Sequence, residues 1–226
     1  MSPGCDRCYA EAITRRFPRT FPNGFTLSLR PDALTVPLHW RRPRMVFVNS
    51  MSDLFHASVP EDYLQAVFDV MRCAPHHTFQ ILTKRAERLA RVAPRLPWSS
   101  NVWMGVSVES AAYVWRIDYL RRVPVAVRFV SAEPLLSPLP QLDLCGIHWL
   151  IAGGESQPGC RPADLNWFRD LRDQCRNAGV AFFLKQLGGH PSKRGGLDAV
   201  LDGQRWTEMP TAPVRTDSPD AVGCAG

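Results

Sequence analysis

Six short apolar runs recur along the chain, and polar residues follow each one at once. The runs are residues 44–49 (RMVFVN), 78–82 (TFQIL), 101–106 (NVWMGV), 125–130 (VAVRFV), 147–152 (IHWLIA) and 180–184 (VAFFL). Each is too short for a helix and too uniformly apolar for an antiparallel strand with one wet face. Such runs are parallel strands buried on both sides. They start roughly 20–35 residues apart, the length of a strand-plus-helix unit. The intervals hold amphipathic stretches. Residues 60–72 place Tyr63, Leu64, Val67, Phe68 and Met71 at helical steps, and Ser58 with Glu61 has the spacing of a capping box. Residues 85–92 and 110–121 are further helices. Residues 164–177 form another, with Gly179 as its stop signal. Alternation of this kind predicts an α/β fold.

The residues after each run select among α/β folds. They are Asn49-Ser50-Met51-Ser52-Asp53, Thr83-Lys84-Arg85, Ser107-Val108-Glu109, Ser131-Ala132-Glu133-Pro134, Gly153-Gly154-Glu155-Ser156 and Lys185-Gln186. Six consecutive strand ends carry side chains that can do chemistry. In a barrel all of these ends meet at one mouth. In a doubly wound sheet only those at the switch point meet. The pattern therefore predicts a complete or partial (β/α) barrel over residues 1–187. A small Asp-Gly hairpin follows within 188–210, and 211–226 read as a disordered tail.

Composition bounds the rest. In 226 residues, 45% hydrophobic and 21% charged, there is material for a sizeable core. Wholly disordered, collagenous, coiled-coil and disulfide-stapled classes are excluded. No apolar run reaches the ~18 residues of a membrane span, and no signal peptide opens the chain, so the expectation is a cytoplasmic protein. The net charge is +6, and arginine supplies all but three of the 27 basic residues. That excess has two readings: genome composition, or an anionic partner such as nucleic acid or a nucleotide. Seven cysteines without an export signal read as thiols rather than disulfides. Cys73, Cys145, Cys160 and Cys175 suit buried apolar positions, as do Trp98, Trp103, Trp115, Trp149 and Trp167.

Cys5 and Cys8 alone have metal-type spacing, and Cys8 enters a helix over 10–17. Two thiolates three apart can share a metal or an iron–sulfur cluster. A zinc site needs a second pair and a cluster a third cysteine, so the spacing leaves the choice open.

The strand ends supply the other candidates. Asn49, Ser50 and Asp53 could bind amino or ribose groups, or cap a helix. Thr83, Lys84 and Arg85 could hold a carboxylate or phosphate. Glu109, Glu133 and Glu155 follow three successive strands and could bind substrate or act as general acids and bases. Ser107 and Ser131 stand beside two of them. Gly153 and Gly154, next to Ser156, permit close approach of backbone to a ligand. Lys185 and Gln186 end the last strand. Catalytic roles fall to Glu133, Glu155 and Lys185, and binding roles to the others.

Several motifs in order resemble the phage-associated three-cysteine proteins, the gp thirty-seven/gp sixty-eight family. They are SPGCDRCYAE (2–11), VNSMSDLFH (48–56), HTFQILTKR (77–85), GVSVE (105–109), RFVSAEPLL (128–136), GGES (153–156), FLKQ (183–186) and LDGQRW with a following MP (201–210). Such proteins look like distant radical S-adenosylmethionine enzymes. The resemblance implies a partial barrel with a [4Fe-4S] cluster and S-adenosylmethionine at its mouth. Cys5, Cys8 and a third cysteine shortly upstream would be the ligands. It also implies a first barrel strand ahead of residue 1, missing from this chain. The upstream DNA is expected to continue in frame and encode that cysteine. The other expectation is a cluster-free or zinc-bound module of phage origin that binds nucleic acid or protein.

Overall fold

The computed structural model describes residues 2–6, 9–155, 159–188 and 199–211. Its six strands are β1 (Met45–Val48), β2 (Thr78–Thr83), β3 (Val102–Ser107), β4 (Val127–Ala132), β5 (Trp149–Gly153) and β6 (Ala181–Gln186). All pair in parallel, and their order in the sheet is their order in the chain. A doubly wound sheet reverses direction at its switch point and carries helices on both faces. This sheet never reverses, so right-handed crossovers put every helix on one side.

The packing agrees. Helices α2 (Glu61–Cys73), α3 (Ala86–Val92), α4 (Arg116–Arg121) and α5 (Leu165–Ala178) bury Leu64, Phe68, Leu89, Leu120, Phe168 and Leu171. They share one core with the strand residues Ile81, Met104, Val130, Leu150 and Phe182. The other face holds a separate aromatic cluster of Trp103, Val127, Phe129 and Trp149, flanked by Leu82, Ile151 and Phe183. The sheet is thus a curled half-barrel clothed by helices on its convex side. Helix α1 (Tyr9–Arg16) precedes it. Among the described residues no helix is long and apolar enough to cross a membrane.

The concave face is filled at its centre and open at its first edge. The Trp149 ring meets those of Trp103, Phe129 and Phe183 at 5.8–6.1 Å. Gly105 makes room for Phe129, since a Cβ there would lie 2.3 Å from the ring. On β1, Val46 and Val48 pack toward the helices. Strand alternation therefore turns Met45 and Phe47 inward, where both are about half exposed. The far edge is covered. The Trp206 carbonyl accepts from Leu184 N–H, Glu208 N–H donates to the Phe182 carbonyl, and Thr207 bridges Phe183 antiparallel. That segment arrives through a turn with Asp202 and Gly203 both left-handed (φ 54° and 76°). Arg169 and Arg172 of α5 hold the Asp202 carboxylate and pull its pKa down to about 2.

Local departures from the sequence reading have local causes. Helix α2 starts after Pro60 without a side-chain cap. The Ser58 N–H instead donates to His56 Nδ1 at 3.2 Å, so no capping box forms. The helix expected over 110–121 is broken into a 3₁₀ turn (Ala111–Tyr113) and α4. The break brings the buried Arg116 side chain back to the end of β3. Helix α5 follows expectation: Asp164 caps it by accepting from Asn166 N–H, and Gly179 ends it at φ 67°.

Of the cysteines expected to be buried, Cys175 is, and burial pushes its pKa up to about 12. Cys145 is exposed in the turn before β5, and Cys160 is half-buried. Cys73, at the end of α2, is also half-buried. Trp103 and Trp149 are core; Trp115 is exposed at the α4 break, edge-on to Tyr119.

Candidate functional site

The strand ends converge, and the N-terminal loop is docked into them. Ser2 is buried and its hydroxyl donates to Glu109. Lys84 reaches from the end of β2 to the same carboxylate, to Ser2 Oγ at 3.3 Å and to Cys5 Sγ at 3.5 Å. Gly4 is required here: a Cβ would lie 2.8 Å from Glu109 Oε1 and 2.9 Å from Lys84 Nζ. On the other side Arg161 donates to the Pro3 carbonyl at 2.9 Å while gripping Glu155 through both Nε and Nη2. Residues from β2, from the segment after β3 and from the loop before α5 thus clamp one short loop.

Glu109 anchors the clamp. Its carboxylate is fully buried and also bonds Arg116 Nη1 at 2.8 Å. Arg116 donates to the Ser107 carbonyl as well and stacks 4.2 Å from the Tyr113 ring centroid. Burial alone would raise the Glu109 pKa. Lys84, the Ser2 hydroxyl and Arg116 outweigh it and hold the group below its ordinary value. Burial likewise pushes the Cys5 thiol up; the Ser2 backbone hydrogen bond, Lys84 and the Ser2 hydroxyl reverse it, leaving the thiol below its ordinary value.

A second group lies nearby on β4 and β6. Lys185 Nζ stands 2.9 Å from Glu133, and Gln186 Nε2 donates to Glu133 Oε1 at 3.2 Å and to the Gly154 carbonyl at 2.7 Å. The Glu133–Pro134 peptide is cis. Gly153 abuts Glu133, where a Cβ would lie 3.2 Å from its side chain. Gly154 lies against the Leu187 carbonyl, 2.5 Å from where its Cβ would be. These glycines serve chain packing in this structure. Glu133 and Lys185 keep more access to solvent than Glu109 or Glu155.

A third group is occupied by its own members. Asp53 accepts from Thr83 Oγ1 (2.7 Å), Lys84 N–H (3.1 Å), Arg85 Nη1 (2.8 Å) and Phe55 N–H (3.0 Å). Asp53, Thr83 and Arg85, the cofactor-binding candidates here, tie the β1 loop to the end of β2. Asn49 is left-handed (φ 57°), and both Asn49 and Ser50 are exposed. Ser107 and Ser131 are paired in register and buried below the rim. Cys8 and Ser156 lie outside the described residues.

Ser2, Gly4, Arg116 and Arg161 hold the site together, and the strand-end rule could not nominate them. The one legible signal is Arg116, a charge directly beside the apolar positions Ile117 and Leu120.

Fold and site define an α/β half-barrel protein with a polar, charge-paired mouth that clamps an N-terminal cysteine loop. The chain belongs to the family of proteins of unknown function designated DUF5131, whose model matches residues 1–210. Neither the curated proteins nor the solved structures contain a match.

Proposed function

We propose that the chain is the barrel of a radical S-adenosylmethionine-like enzyme that works at this mouth. The observation that carries the reading is the clamp on residues 2–5, which holds Cys5 over the strand ends with a depressed thiol pKa. Thiolate is the form that ligates iron. The motif resemblance to the three-cysteine phage proteins points the same way.

The residues test the cofactor in two respects. The donor chemistry of Cys5 fits a [4Fe-4S] cluster. The ligand count does not complete one: Cys8 lies outside the described residues, and among these no group of three or more His, Cys, Asp or Glu could hold a metal ion. On this reading Cys8 and an upstream cysteine supply the other two ligands. The chemistry a cluster and S-adenosylmethionine supply when bound is one-electron reductive cleavage.

The chain's own residues divide the remaining work. Glu109, Lys84, Glu155 and Arg161 position the cysteine loop. Glu133 and Lys185, which retain solvent access, hold the substrate or exchange a proton with it. Trp103, Phe129 and Trp149 form a dry floor.

The test is anaerobic reconstitution of a chain extended through its upstream in-frame codons. About four irons per chain with matching sulfide and a visible absorption band are expected, both lost in Cys5→Ala. Zinc alone, or no metal, overturns the reading in favour of a binding module.

A further inference from the structure

The chain's positive charge is not spread over it. Residues 15–44 contain seven arginines against a single acid, Asp32. Their net +6 equals that of the entire chain, so the remaining residues sum to zero. Almost all of this segment is exposed; only Phe21, Leu34, Pro37 and Trp40 are half-buried. Arg15 pairs with Glu11 and Arg30 with Asp32. Among the described residues Arg16, Arg19, Arg41, Arg42 and Arg44 have no salt bridge.

The segment is also apolar where a solvated basic loop would not be. Phe17 is 49% exposed and Phe25 52%, with Leu27, Leu29, Val36 and Leu38 similarly open. Two arginines already lie over rings: Arg16 over Phe17 at 5.5 Å and Arg44 over Trp40 at 4.7 Å. The segment is fastened at both ends of one flank. Arg30 N–H donates to Tyr63 in the first turn of α2, and the Pro37 and Trp40 carbonyls meet His77 and His76 just before β2. Residues 30–40 therefore run alongside α2, from its first turn to the residues just before β2.

So many large apolar side chains left exposed in one segment mark an interaction site, and the arginines without salt bridges say that the partner is anionic. Exposed rings interleaved with arginines are what a single strand offers its bases and phosphates to. We infer that the flank formed by residues 15–44 binds a single-stranded nucleic acid, with Arg16, Arg19, Arg41 and Arg42 on phosphates and Phe17 and Phe25 stacked on bases. The inference does not depend on a cluster at Cys5, because it uses none of the residues that hold that loop.

The test is fluorescence anisotropy of a labelled oligothymidylate of about 20 nucleotides with the metal-free full chain, repeated between about 50 and 200 mM salt. Arg19→Ala/Arg41→Ala/Arg42→Ala should lower the salt slope by about 2, at about 0.7 for each phosphate no longer neutralised. Phe17→Ala/Phe25→Ala should weaken binding about tenfold or more at every salt with the slope unchanged. The control Arg91→Ala/Arg122→Ala/Arg176→Ala removes equal charge from exposed positions elsewhere and should leave both quantities unchanged. Four binding results overturn the inference. These are no binding at low salt, an equal loss in the control, binding to duplex as tight as to single strand, and binding to anionic phosphatidylglycerol vesicles in place of the oligonucleotide. A doubling of mass in sedimentation that consumes the surface overturns it in favour of self-association.

Discussion

Glu109 shows what a buried acid does when its partners come from distant parts of the chain. Lys84, Arg116 and Ser2 all meet it, and none can be moved into water without leaving a charge behind. Glu109→Ala strands Lys84 and Arg116 and should cost about 3–5 kcal/mol in denaturant unfolding. The pH dependence follows from the depressed pKa. The group's contribution is complete above its ordinary value of 4.5 and is lost as pH falls through the lower folded value. Glu109→Gln should therefore unfold at a midpoint that varies less below that value than wild type. The sequence marks Glu109 as a strand-end acid, because strand ends in a barrel share a mouth whatever their neighbours. Its partner Ser2 is hidden, lying 107 residues away in a motif that draws attention to its cysteines. The same holds for Asp53, Thr83 and Arg85. Their position is legible from the runs, and their commitment to one another is not, since hydrogen bonding across a rim depends on side-chain geometry.

Strands β2 to β5 are readable because both of their faces are largely dry, which leaves an uninterrupted apolar run and few alternatives. The helix before β4 departs from its periodicity because tertiary pairing of Arg116 overrides it. The start of α2 departs from the capping-box spacing because Ser58 finds a nearer turn. Packing inside the half-barrel makes a sharper demand than either. Gly105 faces Phe129 so closely that even a methyl group collides with the ring. Gly105→Ala should destabilise the protein by about 1–3 kcal/mol in chemical denaturation. The double variant Gly105→Ala/Phe129→Leu should recover part of that loss. Equal loss in both would mean that the strand backbone, not the ring, is the constraint.

Across the whole molecule, the late chain reaches residues 2–5 through the hydrogen bond from Arg161 to the Pro3 carbonyl. Arg161→Ala should expose the N-terminal segment to limited proteolysis several-fold faster, with a lower melting temperature because the nearly buried Glu155 loses its guanidinium. Cleavage at the wild-type rate would show that Glu109 and Lys84 suffice. Sheet order has one more consequence. Each strand pairs with the one made just before it, so the sheet can grow behind the ribosome by local additions. The mouth cannot. Its cysteine loop is made before the groups that hold it, and waits for Lys84, then Glu109, then Arg161. Cys5 therefore stays open to solvent until most of the barrel exists.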